Sequence, residues 1–253
     1  MKFSHAITRK PGKNLGQGLT TANLGPPSYK RALQQHSAYE EALKSIGLKI
    51  IALDAQPDYP DAHFVEDTAV VTPEVAIITN PGAASRQGEE EAVAGNLGPY
   101  RAIERIRAPG TLDGGDVLMI NGHFFIGLSE RTNPQGAEQL TRILDKYENT
   151  WTTLQVGAGL HFKSSVNYAG HNTLLVTEDF AGHEALGDFD QIIVNKEEEY
   201  AANVLWVNDH LLIPKGFPDT KKKLKTLNLS MIELDVSEMR KMDGGLTCLS
   251  IRF

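Results

Sequence analysis

One unit recurs along this chain: a small or polar pair, a short strand, a tight turn and a second strand. It reads "EDTAVVTPEVAIIT" from Glu66, "GDVLMINGHFFIG" from Gly115, "HNTLLVTEDF" from His171 and "ANVLWVNDHLLIP" from Ala202, and a fifth copy, "LTCLSIRF", runs off the C-terminus. The dipeptides Asn121-Gly122 and Asn208-Asp209 suit hairpin turns, which need left-handed backbone. Segments of helical spacing lie between the strand pairs. "SYKRALQQHSAYEEALKSIG" sets Ala32, Leu33, Tyr39, Leu43 and Ile46 near one face, with Ser28 as N-cap and Gly47 as stop. "NPQGAEQLTRILDKYE" offers Ala137, Leu140, Ile143, Leu144 and Tyr147, and "FPDTKKKLKTLN" reads as a shorter helix. Strand pairs alternating with helices five times over predict an α/β ring of five units with pseudo-fivefold symmetry, the incomplete last unit being finished by the N-terminal strand "KFSHAITR". A doubly wound sheet would show single strands between helices, and here they come in pairs.

The chain is read as one domain over residues 1–253, because no Pro/Gly/Ser linker or shift of composition divides it. Its formal net charge of -7 disfavours nucleic acid and anionic membrane as partners and suits a basic or zwitterionic small molecule. The basic run "TKKKLK" from Thr220 is expected to be a solvated helix face. With no signal-like apolar start, no long apolar run and a single cysteine, the protein is expected in the cytoplasm, and the sequon at Asn228 is read as chance.

In such a ring equivalent strand ends face a common axis, where the units carry "EDT", "GGD", "GHN", "AAN" and "GGLTC". Acids and the lone thiol of Cys248, which follows two glycines in a strand-like run, are therefore expected to converge. The glycines of "DGGD" (Asp113–Asp116) and "DGG" (Asp243–Gly245) would let backbone approach a ligand closely, but neither has phosphate-loop spacing. His161, His171 and His183 lack any zinc spacing, so no metal is expected; His161 reads as a general base at the start of a strand with glycines behind it. Asp61, Glu66 and Asp67 would form a negative site suited to a guanidinium, while Arg86 and Arg131 would clamp a carboxylate. Acids at one end and arginines at the other describe a pocket for an arginine-like molecule.

The segments "GLTTANLGPP", "PDAHFVEDTAVV", "PGAASRQGE", "APGTLDGGDVL", "GLSERTNPQGA", "NVLWVNDHLLIPKGFPDT" and "MDGGLTCLSIRF" resemble the dimethylarginine dimethylaminohydrolases, a branch of the guanidino-group modifying (pentein) superfamily, over nearly the whole chain from Leu19 to Phe253. The resemblance implies a five-bladed α/β propeller that hydrolyses Nω-methylated arginine to citrulline and a methylamine without a cofactor. It makes Cys248 the nucleophile, His161 the general acid/base and Asp113 the acid that orients the histidine, shorter here than the Glu of some relatives. Asp61, Glu66 and Asp67 match the guanidinium side, Arg86 and Arg131 the carboxylate clamp, Leu19 a closing loop, and Asp243 a hold on the guanidinium and the cysteine loop. Phe64, two residues before Glu66 and so on the same strand face, is expected beside Leu19 at the gap that admits a methyl group. Two other readings stand beside this one: a compact deiminase for free arginine or another guanidine, and a non-catalytic propeller that binds arginine-like ligands. Outer helices of such rings can pair, which leaves a homodimer open.

Overall fold

Each repeat contributes three strands, one more than its sequence shows. The computed structural model describes residues 2–157 and 160–253. The N-terminal strand β1 (His5–Arg9) runs parallel to β2 (Lys49–Leu53), which it reaches through helix α1 (Tyr29–Ser45). Three units then repeat one pattern, an antiparallel hairpin followed by a crossover to a third strand parallel to the second. They are β3 (Ala69–Val71), β4 (Val75–Ile78) and β5 (Ala102–Arg105); β6 (Val117–Ile120), β7 (His123–Leu128) and β8 (Thr150–Gln155); and β9 (Val166–Gly170), β10 (Thr173–Val176) and β11 (Asp190–Ile193). A fourth consists of β12 (Leu205–Val207), β13 (His210–Pro214) and β14 (Ser230–Leu234). The last strand, β15 (Ile251–Arg252), pairs antiparallel with β1, Ile7 opposite Ile251, so the first and last segments complete one blade as the truncated repeat required. One strand from each sheet (β3, β6, β9, β12, β15) lines a common cavity of ≈ 180 Å³, which marks the axis of a five-bladed α/β propeller.

The third strands escape sequence reading because they are outer edges. Residues of β5 and β8 are mostly exposed or half-buried, so "AIER" and "TWTTLQ" lack an apolar alternation. The hairpins follow their turn chemistry: Asn121-Gly122, His171-Asn172 and Asn208-Asp209 all hold positive φ at both central positions, as a two-residue turn matched to strand twist requires. His171-Asn172 thus forms a turn, and the unit read from His171 begins one strand earlier, at Val166. The "GHN" group accordingly sits at a hairpin tip away from the axis.

Helix α1 starts at Ser28, whose side chain accepts the Arg31 N–H, and ends before Gly47 at φ +96. It buries Ala32, Tyr39 and Leu43, and with them Gln35 and His36. Helix α2 (Glu90–Leu97), which the sequence did not signal, serves the β4–β5 crossover, and α3 (Pro134–Lys146) buries Ala137, Leu140 and Leu144 over β7 and β8. A four-residue helix, α4 (Phe162–Ser165), leads into β9. Helix α5 (Pro218–Leu224) carries the lysine run and buries Leu224, and α6 (Ser237–Arg240) is one turn. The β10–β11 crossover has no α-helix, only two 3₁₀ turns, so helices do not accompany all five units.

Candidate active site

A short helical turn precedes each axial strand: Val65–Thr68, Gly114–Asp116, Phe162–Ser165, Lys196–Ala202 and Thr247–Leu249. These turns, rather than strand ends, carry the side chains that meet. Cys248 lies in a 3₁₀ turn and His161 caps α4, so the strand expected at each place begins later. The same holds for Phe64: the strand starts only at Ala69, and the same-face argument does not apply. Gly159, one of the glycines expected behind His161, lies outside the described residues.

The glycines of "DGGD" and "DGG" bring backbone close to protein groups, and Gly115, Gly244 and Gly245 also line the cavities beside Cys248. A Cβ on Gly115 would stand 2.8 Å from both Asp67 Oδ1 and the His161 ring, and one on Gly244 would enter the Phe64 ring at 2.1 Å. Gly115 instead gives its N–H to Asp67 Oδ1 at 2.9 Å. The close approach sets Asp67 and Asp113 about one imidazole, with His161 Nε2 3.0 Å from Asp113 Oδ2 and 4.0 Å from Asp67 Oδ1. Asp113 is long enough for direct contact with the ring. Asp116, the other acid of the motif, accepts the Phe162 N–H at 2.9 Å and the hydroxyls of Ser129 and Thr132, which fixes the backbone beside His161.

The electrostatics follow from this packing. Burial opposes a charged His161, but the Asp67 carboxylate and the Asp113 hydrogen bond outweigh it and raise the pKa to about 9. Burial likewise opposes a charged Asp67, and the His161 and Arg86 cations with the Gly115 N–H hold it down to about 2. Cys248 goes the other way: burial, together with the Glu66 and Asp67 charges, pushes its thiol up to about 12, against a Gly245 N–H at 3.3 Å from the sulfur. At neutral pH the empty site therefore holds thiol and imidazolium. Asp67, Asp113 and His161 each bring one donor atom within 4.8 Å of the others, the one grouping of its kind among the described residues that could hold a metal ion.

A narrow pocket of ≈ 30 Å³ adjoins Cys248 and His161, lined by Leu19, Asp61, Phe64, Asp67, Arg86 and Arg131. Every residue of the expected arginine pocket except Glu66 lies there, Asp243 included. Several are committed to one another. Arg86 bonds the carboxylates of Asp67 and Glu89 and gives Nη2 to the Phe64 carbonyl at 2.9 Å, and its buried Nε has no partner among the described residues. Glu89, three residues on in "SRQGE", went unrecognised; burial, opposed by Arg86, lifts it to about 7. Asp61 accepts the Leu19 N–H at 3.0 Å and Asp243 accepts the Thr21 hydroxyl at 3.0 Å, so both acids tether the loop that overhangs the pocket. Glu66 meets Lys163 at 2.7 Å and Arg252 at 3.2 Å, forming an ion-paired floor between the site and the axial cavity.

Lys163, Arg252 and Asn203 were not foreseen. Asn203 bonds the Lys163 carbonyl and both the hydroxyl and N–H of Thr247, joining three blades beneath Cys248. The "AAN" group was its only signal.

Replacing Asp67 by Asn tests whether this acid holds the site together. The change removes the ionic partner of buried Arg86 and the main charge supporting imidazolium. Chemical denaturation should show a loss of about 3–5 kcal/mol, the usual result of breaking a buried pair, and NMR titration should show a lower His161 pKa. Unchanged stability with an unchanged His161 titration would make Asp67 a ligand contact only.

A thiol, an imidazolium and its carboxylates on the axis of a five-bladed α/β propeller define a cysteine hydrolase of the pentein class. Comparison with known proteins makes the class specific. The sequence model described as "N,N dimethylarginine dimethylhydrolase, eukaryotic" matches residues 27–250. The dimethylarginine dimethylaminohydrolase of Pseudomonas aeruginosa is 42% identical over 99% of this chain and 100% of its own, and that of Streptomyces coelicolor 36% identical over 100% and 98%. A crystal structure of the Pseudomonas enzyme, a cysteine-to-serine variant complexed with citrulline, superposes with a TM-score of 0.98 over 100% of both chains. The N-terminal domain of a cyanobacterial arginine dihydrolase, 17% identical with a TM-score of 0.87 over 98% of this chain and 97% of its own, shares the fold. The chain belongs to the dimethylarginine dimethylaminohydrolase family.

Proposed function

We propose that this protein hydrolyses Nω-methylated arginine, mono- or asymmetrically dimethylated, to citrulline and the corresponding methylamine, with Cys248 as nucleophile, His161 as general acid and base, and Asp113 orienting the imidazole. The observation that carries the reading is a thiol kept neutral beside a ready imidazolium, in a pocket whose acids favour a cation. A bound guanidinium is the charge that lowers the thiol pKa, so the nucleophile forms when substrate is present. The thiolate attacks the guanidino carbon; His161 gives its proton to the departing amine as the C–N bond breaks, and an S-alkylthiouronium remains on Cys248. The same imidazole then takes one proton from water, whose oxygen bonds to that carbon; as the C–S bond breaks, the remaining hydroxyl proton passes to solvent, leaving citrulline and thiolate. Asp113 holds the ring through Nε2. The scheme draws on side chains and water alone.

Asp61, Leu19, Arg131 and Arg86 serve the amino-acid end in this reading, Arg86 exchanging some of its present contacts for the ligand carboxylate. Glu66, Asp67 and Asp243 supply the negative field at the guanidinium end. Residues 1–253 act as one catalytic unit in the cytoplasm, where a reduced thiol is maintained. Among the described residues no helix is long and apolar enough to cross a membrane.

Citrulline formation from monomethylarginine, asymmetric dimethylarginine and free arginine tests the reaction and its specificity. Methylated substrates should be used and arginine hardly at all, since a site that admits a methyl group leaves no acceptor for the nitrogen's proton. Phe64→Ala should change the ratio between them, because that ring lines the narrow pocket beside Leu19. Arginine as the best substrate would make the protein a compact deiminase; no citrulline from any of them would make it a binding propeller; and an equal change in all three values would reduce Phe64 to packing against Gly244.

A further inference from the structure

Cys248, His161, Leu160 and Asp243 divide two cavities. On one side is the narrow pocket for the amino-acid end. On the other is a cleft of ≈ 430 Å³, walled by the loop residues Thr21–Leu24 and by Thr177, Asp179, Glu199 and Tyr200. An arginine side chain laid along the narrow pocket with its guanidino carbon at the sulfur points its substituted nitrogen into this annex. Two methyl groups occupy about the space of two waters, ~60 Å³, so the annex is several times larger than a dimethylamino group needs.

Its charges are unequally engaged. Glu66 is paired with Lys163 and Arg252, Asp243 holds Thr21, and His161 is held by Asp113. The Arg240 guanidinium lies over the rings of Tyr200 and Phe217 at 4.9 and 5.4 Å. Asp179 and Glu199 remain, and among the described residues neither side chain is in an ion pair or hydrogen bond. Thr177, just after β10, also lines the annex; the residue is 4% exposed and its buried Oγ1 has no partner among the described residues. This hydroxyl is therefore open to a polar group arriving from the cavity.

We propose that the annex is the subsite for the substituent on the guanidino nitrogen and that it suits a long cationic one, an aminoalkyl chain whose ammonium meets the Thr177 hydroxyl and the carboxylates of Asp179 and Glu199. The inference rests on the hydrolase reading above and extends its substrate class to Nω-aminoalkyl arginines. The bonds exchanged are the same: the C–N bond to the substituent breaks, His161 protonates the departing nitrogen, water supplies the oxygen of citrulline, and a diamine leaves.

The test compares Nω-(4-aminobutyl)arginine with Nω-pentylarginine, which has the same length and no charge, alongside asymmetric dimethylarginine. kcat/KM for the aminobutyl compound should exceed that for the pentyl compound about fivefold or more, the scale of a partly exposed ion pair. In the Asp179→Asn, Glu199→Gln double variant this ratio should fall to about one, and Thr177→Val should lower it in part. Turnover of dimethylarginine with none of the aminobutyl compound overturns the proposal, as does a ratio that survives in the double variant. The same ratio is also read as Kd on the Cys248→Ala protein. Binding with the expected preference while none of the three compounds yields citrulline would refute the hydrolase reading and keep the annex, and equal Kd values would refute the annex.

Discussion

Cys248→Ala should make no citrulline above a trace while still binding substrate. Loss of a nucleophile that acts in concert with its base removes about 10⁴-fold or more of turnover. The groups proposed for binding lie elsewhere: Asp61, Asp67, Arg86 and Arg131 line the narrow pocket, and the first three do not depend on the sulfur for their positions, since Asp67 is held by Arg86 and Gly115, Arg86 also by Glu89, and Asp61 by the Leu19 N–H. The alanine variant also removes a group whose ionisation is disfavoured by Glu66 and Asp67, so affinity for a cation should not collapse. Calorimetry with the methylated substrates checks the binding, and acid quench of the wild type during turnover should trap a mass adduct on the Cys248 peptide. Turnover by the alanine variant at more than a trace rate would end the covalent scheme.

His161→Ala should lower kcat by about 10³-fold or more, because in the proposed scheme one imidazole supplies the proton to the leaving amine and later accepts one from water. The pH dependence identifies the residue. Its raised pKa means that the imidazolium is present below about 9 and is lost as pH rises through that value. In the free protein the imidazole gives up its proton before the thiol does, so kcat/KM, which reports the free protein and needs thiolate and imidazolium together, should climb with pH and level off near 9. A bound guanidinium is a like charge to the imidazolium and an opposite charge to the thiolate, so it depresses both pKa values. The alkaline limb of kcat should lie lower than that of kcat/KM, and the acid limb should reflect a thiol well below its free value of about 12. Residual activity in His161→Ala with the wild-type alkaline limb would assign the proton transfers to another group.

The way the site is held explains why these effects are separable. The His161 ring is fixed from the Gly114–Asp116 turn through Asp113, while Cys248 is fixed from the opposite side through Gly245, Thr247 and Asn203. Removal of one partner leaves the other supported by its own blade. Asp67 is different, since it serves Arg86, Gly115 and His161 together, and its substitution should spread into stability.

Local chemistry was legible in the sequence wherever a short segment decides its own conformation. Asn121-Gly122 and Asn208-Asp209 announce their turns because few residues accept positive φ, and Ser28 and Gly47 bound α1 for similar reasons. Five repeats, with the N-terminal strand closing the last, follow from strand pairs that could bury their apolar faces only against neighbours. The resemblance supplied the roles of Cys248, His161 and Asp113, which no spacing along the chain could give. Register was less secure: His171-Asn172 lacks the glycine that marks many tight turns, and the unit was read one strand late. The outer strands were invisible because half-exposed edges carry little periodicity.

What only the tertiary structure decided is which charges are free. Sequence placed Asp61, Glu66, Asp67, Arg86 and Arg131 in one pocket; it could not show that Glu66 is bound to Lys163 and Arg252 from other blades, or Arg86 to Asp67 and Glu89. Composition records that a side chain is charged, whereas its pKa depends on neighbours brought close by the fold. His161 rises to about 9 because turns far apart in the chain put Asp67 and Asp113 beside it, and Cys248 rises to about 12 because the same packing desolvates the sulfur and brings two acids near it. The residue types were fixed by the chain, and their protonation by the ring.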